Sequence, residues 1–198
     1  MTGSKVQILR RPPRKPQQEI NGLIPSTPTI KLAINISLFF MTFLTHVAVG
    51  SAVGLATKNP YLGFAAGVVS HHIIDVIPHS DPGSLGISAK DILKKENRGG
   101  LVWAVSDAIV GAGLFIFILL KFNFESAVLW GMIGAVLPDL IDNSPFWSLP
   151  LRQFFPFNYY HRFHEKFHFT ISAKRYFWLG FLTQIVLICL SLAFVFSA

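Results

Sequence analysis

Histidines and aspartates recur at helical spacing in two apolar stretches of the chain. In the first stretch, His71, Asp75 and His79 follow one another at four-residue intervals, so they share one face of a helix. In the second, Asp139 and Asp142 are three residues apart and again share a face. Because an ionisable group inside an apolar helix is costly, both stretches predict a functional site.

A third set of polar side chains, His161, His164 and His168, forms one helical stripe in a more polar segment. Imidazole nitrogens together with carboxylate oxygens are ligands that suit Zn²⁺, Mn²⁺ and Fe²⁺. Aspartates can also bridge two ions, an arrangement suited to the hydrolysis of phosphoesters. We therefore predict a site for one or two divalent metal ions, zinc first, with manganese or iron as alternatives.

The predicted site divides by chemical role. The candidate metal ligands, in the order in which we expect them to contribute, are His71, Asp75, Asp139, Asp142, His161, His164, His79 and His46. Asp107 and Glu165 are the candidate catalytic carboxylates, either as a general base or as a group that orients a ligand histidine. Arg162 and Lys166 are predicted to hold an anionic headgroup of the substrate.

Each motif also has a purely structural interpretation. His71 and His72 could hydrogen-bond across helices. Asp139 and Asp142 could belong to a helix-ending turn, although a carboxylate at a helix C-terminus opposes the macrodipole and so favours a bound cation or a basic partner. The histidine stripe at 161–168 could be an amphipathic helix lying in the membrane interface. These alternatives stay open at the level of sequence.

Membrane helices are the elements that must position these residues. The chain is 52% hydrophobic and only 14% charged, whereas a soluble domain carries about a quarter charged residues. Its apolar residues fall in five runs close to the length of a membrane span, at 32–56, 61–78, 101–120, 126–142 and 176–197. We therefore predict an all-α membrane protein, a bundle of about five transmembrane helices with a short cytoplasmic amphipathic helix.

The basic residues indicate the orientation of this bundle. Residues 1–29 are polar, basic and proline-rich, which predicts a disordered arm ahead of a transmembrane domain at 30–198. Fifteen of the 17 Lys and Arg residues lie before the first apolar run or in the loops 79–100 and 143–175. The positive-inside rule places these parts in the cytoplasm and the C-terminus outside. We expect a multi-pass protein of the cell (inner) membrane with its site near the cytoplasmic leaflet.

His46 fits this arrangement less well than the other candidate ligands. It lies about fourteen residues into the first apolar run, roughly 21 Å of helical rise, and therefore toward the outer half of the membrane. It joins the site only if its helix starts late or is strongly tilted.

Several of these motifs resemble the integral-membrane metal-dependent hydrolases of the YdjM type (the DUF457 group). The matching pieces are Thr45-His46 before a glycine-rich helix, the stretch from Ser70 to His79, the stretch from Leu137 to Asp142, and the histidines of 161–168. The resemblance covers about residues 40–170. It implies a membrane-embedded hydrolase whose metal is held by the histidines and aspartates of these pieces. The chain departs from the family in spacing its last histidines as His-x-x-His-x-x-x-His.

Three classes of function compete on these residues. We favour a hydrolase acting on a phosphoester or another lipid-linked substrate. A carrier of metal ions or protons is the alternative, but a carrier needs ligands through the whole membrane depth, and the predicted outer half offers only His46. A non-catalytic membrane assembly protein, in which the polar side chains only hydrogen-bond to one another, is the third. The sequence has no Gly-x-Ser-x-Gly motif to carry a serine nucleophile.

The net charge of +7 bears on the partners of the chain. Because the basic residues lie in alternate loops, the charge indicates topology, and we expect no specific nucleic-acid partner. The expected partners are membrane lipids and either a second copy of the chain or another membrane protein.

Overall fold

The computed structural model describes residues 42–81, 87, 91–168 and 177–198. In chain order, its helices are α1 (Phe43–Thr57), α2 (Pro60–Val76), α3 (Arg98–Lys121), α4 (Ser126–Asp142), α5 (Ser148–Leu151), α6 (Phe157–Phe167) and α7 (Phe177–Ser197). A short 3-10 turn at Lys95–Asn97 precedes α3. The predicted all-helical class is therefore confirmed for these residues. The predicted arm at 1–29 and the first part of the run at 32–56 lie outside them.

Two of these helices, α3 and α7, are long and apolar enough to cross a membrane. They contain 24 and 21 residues, or about 36 and 32 Å at 1.5 Å per residue. Both expose large apolar side chains, such as Ile109 and Phe117 on α3 and Leu182 and Leu190 on α7. The described helices α1, α2 and α4 are shorter, with 15, 17 and 17 residues. The sequence predicts about five membrane spans. Among the described helices, two have the length expected of a membrane span.

A tight turn joins α1 to α2. Lys58 adopts a left-handed backbone with φ of 50°. The side chain of Asn59 accepts hydrogen bonds from the amides of Tyr61 and Leu62, at 3.0 and 3.1 Å. Pro60 occupies the first position of α2, where its missing N–H has no helical partner to lose. The turn folds α2 back along α1, which brings the start of α1 beside the end of α2.

Helices α1 and α2 both lie close against α4. A Cβ atom at Gly54 would lie 2.5 Å from the carbonyl oxygen of Ala127, and one at Gly50 would lie 2.8 Å from the carbonyl oxygen of Gly131. Small residues at four-residue spacing permit such an approach. The hydrophobic core beside this contact consists of Val47, Ile118, Leu119, Val128 and Met132. This packing places the polar ends of α2 and α4 next to each other.

Helix α7 anchors the segment that follows α2. The hydroxyl of Thr183 donates to the carbonyl oxygen of Pro78 at 2.6 Å, and the hydroxyl of Ser80 donates to the carbonyl oxygen of Phe177 at 2.9 Å. These two hydrogen bonds flank His79. His79 lies beyond the end of α2, so the hydrogen bonds of that helix do not hold its backbone. The two hydrogen bonds to α7 hold it instead.

Candidate metal centre

Five polar side chains converge where α1, α2, α4 and α6 meet: His46 of α1, His71 and Asp75 of α2, Asp139 of α4 and His164 of α6. Four of these five residues are at most 3% exposed. The exception is Asp139, whose side chain is 25% exposed. The centre is therefore buried and opens at the side of Asp139.

The carboxylate of Asp75 lies at the middle of this centre. Its Oδ2 atom is 3.0 Å from Nε2 of His71 and 3.0 Å from Nε2 of His164. The same two imidazole nitrogens are 3.3 Å apart. The other oxygen of Asp75, Oδ1, is 3.4 Å from Nε2 of His46. Three imidazoles thus present the same ring nitrogen to one carboxylate.

Asp139 closes the centre from α4. Its Oδ1 atom lies 3.8 Å from Nε2 of His71 and 3.8 Å from Nε2 of His164. Its Oδ2 atom lies 3.8 Å from Nε2 of His46. The side-chain amide of Asn143 donates to Oδ1 at 2.7 Å and orients the carboxylate.

These separations fit a divalent ion. Zinc bonds imidazole nitrogen and carboxylate oxygen at about 2.0–2.2 Å, so neighbouring ligand atoms lie about 3.0 Å apart in octahedral and about 3.4 Å apart in tetrahedral geometry. The observed separations of 3.0–3.8 Å bracket these values with little movement required. The buried imidazoles and carboxylates therefore have the separations that a metal ion needs in its donor set.

Hydrogen bonds behind the ligands select the ring nitrogen that each histidine presents. Nδ1 of His71 lies 2.8 Å from the carbonyl oxygen of Ala135. That oxygen can only accept, so Nδ1 carries a proton and Nε2 is the nitrogen available to a cation. His71 is thereby prepared to bind a cation through Nε2.

His164 is oriented in the same way, by a carboxylate. Its Nδ1 atom lies 3.0 Å from Oδ2 of Asp142. Burial lowers the pKa of His164, but its hydrogen bonds with Asp142 and Asp75 outweigh this effect and raise the pKa to about 10. A cation bound at Nε2 would therefore take the place of a proton.

Asp142 and His161, both predicted as ligands, form this supporting layer. Asp142 Oδ2 lies 3.0 Å from Nδ1 of His161 as well as from His164. The guanidinium of Arg152 donates through Nε to Oδ1 of Asp142 at 3.0 Å. Asp142 thus acts on the centre through His164 in this structure.

Sequence reasoning placed the two candidate catalytic carboxylates near the metal. The structure places Asp107 against the N-terminus of α1, where its carboxylate accepts hydrogen bonds from the amides of Thr42, Phe43 and Leu44 at 3.0, 2.6 and 3.2 Å. Glu165 lies 3.5 Å from Nε2 of His161, with its side chain 70% exposed. Their catalytic roles stay predictions.

The two cations predicted to hold a headgroup, Arg162 and Lys166, are exposed on α6. The guanidinium of Arg162 lies 5.9 Å from the ring centre of Tyr159, and the ammonium of Lys166 lies 5.9 Å from the ring centre of Phe167. Cations beside exposed aromatic rings suit a membrane interface.

Three further residues of the site were not among the predicted ligands. Arg152 supports Asp142, and the unfavourable position of Asp142 at a helix C-terminus was the signal that a basic partner exists. His72 can join a group of possible ligands with His71, Asp75 and His164, and His168 can join another with Asp75 and His79. The stripe spacing had singled out His168 but not its partners.

Comparisons of the chain with protein-family models, with curated proteins and with solved structures found no match. The resemblance to the DUF457 group therefore stays an expectation drawn from the motifs.

Proposed function

We propose that the chain is a membrane-embedded metal-dependent hydrolase that acts on a phosphoester or another lipid-linked substrate near the cytoplasmic leaflet. The observation that carries this proposal is the convergence of three imidazole nitrogens, from His46, His71 and His164, on the carboxylates of Asp75 and Asp139. A donor set rich in nitrogen favours Zn²⁺, Mn²⁺ or Fe²⁺ over Mg²⁺ or Ca²⁺.

The position of the ligands along their helices supports a site at one membrane face. His46 lies in the first turn of α1, Asp75 in the last turn of α2 and Asp139 in the last turn of α4. We propose that α1, α2 and α4 lie in the membrane with α3 and α7, as the five-helix prediction requires. On the charge distribution of the loops, this face is the cytoplasmic one and the C-terminus lies outside.

The surface around the site suits a substrate that arrives from the lipid phase. Exposed aromatic side chains on this side of the molecule include Phe146, Trp147, Phe154, Phe155, Tyr159 and Phe163. Aromatic rings of this kind occupy the headgroup region of a bilayer. Arg162 and Lys166, exposed on the same helix as Tyr159 and Phe163, would bind the phosphate of a lipid headgroup.

The side chains of the centre would have different roles in such a reaction. A bound ion would supply Lewis-acid activation of the scissile bond and of the attacking water. His71 and His164 present fixed nitrogens, because Ala135 and Asp142 hold the opposite side of each ring. Asp139, the most exposed of the five convergent residues, lies where a substrate would enter.

Metal content tests the proposal. Detergent-purified protein, stripped with a chelator and reloaded with Zn²⁺, Mn²⁺ or Fe²⁺, is analysed for bound metal, with Asp75→Asn/Asp139→Asn beside it. We expect about one or two equivalents in the wild type and loss in the double variant, because its carboxylates are neutralised. Asp91→Asn, which changes a carboxylate paired with Lys94 outside the convergent ligands, serves as the control and should keep its metal.

Two results would contradict the proposal. A folded wild type that binds none of the three ions would leave the cluster as an internal hydrogen-bond network, as in an assembly protein. A wild type that binds metal, hydrolyses no lipid phosphomonoester or phosphodiester, and moves the ion into vesicles would be a carrier.

A further inference from the structure

Asp75 belongs to two groups of possible ligand atoms. The first is the centre described above, which Asp75 shares with His71 and His164. The second consists of Asp75, His79 and His168, with one donor atom from each lying within 4.8 Å of the others. Because both groups contain the same carboxylate, they are adjacent. A carboxylate that can offer an oxygen to each of two adjacent ligand groups can act as a bridging ligand.

His79 is held in the orientation that a ligand needs. Its Nδ1 atom lies 2.9 Å from the carbonyl oxygen of Ile77, so Nδ1 donates there and Nε2 is the ring nitrogen left for a ligand contact. His79 is 3% exposed, and its Nε2 atom has no hydrogen-bond partner among the described residues. A buried acceptor without a partner is unfavourable. A bound cation would satisfy it.

His168 faces His79 from the end of α6. The two ring centres are 4.8 Å apart, with an angle of 86° between the ring planes. The backbone amide of His168 donates to the carbonyl oxygen of His164 at 2.9 Å, so α6 fixes both histidines. Asp81 lies beside them, with Oδ2 4.0 Å from Nε2 of His168. The second group thus has two imidazoles, the shared carboxylate and a further carboxylate nearby.

We propose that the group of Asp75, His79 and His168 binds a second divalent cation, and that Asp75 bridges the two ions. This inference rests on the proposed metal centre, which it extends from one ion to two. A pair of ions stabilises both the attacking and the leaving oxygen of a displacement at phosphorus. Of the proposed substrates, the second ion therefore favours the phosphoester.

Metal stoichiometry is the first test. Full-length protein in detergent is stripped with a chelator, dialysed against Zn²⁺ and analysed for metal, with circular dichroism to establish that each variant is folded. We expect about two zinc ions per chain in the wild type and about one in His79→Ala/His168→Ala, because only the second group loses its imidazoles. Asn158→Ala changes a side chain at the start of the same helix that only accepts from the neighbouring amide of Tyr159; it lies outside both groups, and the variant should keep both ions.

The outcomes distinguish failure of the second ion site from failure of the proposed metal centre. One zinc ion in both the wild type and His79→Ala/His168→Ala would overturn the second site and leave the first intact. No zinc in the folded wild type would overturn both. If His79→Ala/His168→Ala does not fold, His168→Gln alone is measured, and unchanged stoichiometry in this milder variant would equally overturn the inference.

Electron paramagnetic resonance tests the bridge itself. Two Mn²⁺ ions joined by one carboxylate are magnetically coupled, whereas a single bound Mn²⁺ gives the spectrum of an isolated ion. We expect a coupled spectrum in the Mn²⁺-loaded wild type and an isolated-ion spectrum in His79→Ala/His168→Ala. Two bound Mn²⁺ ions without coupling in the wild type would contradict bridging by Asp75.

Discussion

Asp142 and His164 form a carboxylate–imidazole pair, with Oδ2 of Asp142 3.0 Å from Nδ1 of His164. The opposite ring nitrogen of His164 faces Asp75, also at 3.0 Å. Asp142 therefore fixes the direction in which Nε2 points without itself lying between the convergent ligands. Carboxylates that support a ligand histidine in this way raise its basicity and its affinity for metal.

The change Asp142→Asn should weaken metal binding without abolishing it. The amide keeps the size of the side chain but is a poorer acceptor for the N–H of His164, and we expect a loss of roughly 10- to 100-fold in zinc affinity. Competition with a chromogenic chelator measures this affinity. Asp91→Asn, the same exchange at a carboxylate paired with Lys94 outside the convergent ligands, is the matched control. Equal affinity of Asp142→Asn and the wild type would show that the pair has no role in binding.

Asp107 should act on stability and, through α1, on His46. Its carboxylate accepts hydrogen bonds from three amides at the start of α1, one turn or less before His46. Asp107→Asn removes one acceptor oxygen and the charge, and we expect the free energy of unfolding to fall by about 1–3 kcal/mol. Denaturation in mixed micelles measures this change, with Asp91→Asn as the surface control. A variant as stable as the wild type would contradict this role.

The close contact of α1 with α4 should not tolerate a side chain. A Cβ atom at Gly54 meets the backbone of Ala127 and Val128, so Gly54→Leu must force the helices apart. We expect a cost of about 1–3 kcal/mol in stability, together with weaker metal binding, because Asp139 moves with α4. Gly113→Leu is the control, since a Cβ there has nothing within 4 Å. Similar melting temperatures for the two variants would refute this packing argument.

Reporter fusions should confirm the orientation of the chain. Alkaline phosphatase is active only outside the cytoplasm, whereas green fluorescent protein exported in an unfolded state does not fluoresce. When the reporters are fused after Ala198, we expect an active phosphatase and a dark fluorescent protein, because the distribution of basic residues predicts that the C-terminus lies outside. The opposite pair of signals would mean that the number of spans is even. The membrane face at which the site lies would then have to be reassigned.

Sequence periodicity located the parts of the site that lie on one helix. His71 and Asp75 are four residues apart on α2, and they are in contact in the structure. Such pairs follow from the geometry of a helix alone.

Sequence periodicity does not predict contacts that depend on where a helix begins or on where a loop places its residues. His46 was placed toward the outer half because its apolar run starts at 32, whereas the described helix α1 starts at Phe43 and carries His46 in its first turn. The partners of His79 and His168 come from three separate segments, brought together by α7 and by the end of α6. No local spacing encodes that meeting.

The ligands of the first ion are contributed by α1, α2, α4 and α6, so the earliest and the latest of them are separated by most of the described chain. During biosynthesis His46 emerges first, and a complete coordination sphere exists only once His164 has followed. An ion bound by this set would therefore be acquired late, as a clasp that closes only after His164 has been synthesised, and chains terminated before His164 would remain unclasped. Metal occupancy would in this way distinguish completed molecules from fragments, and the clasp would make the loaded form the more resistant to proteolysis.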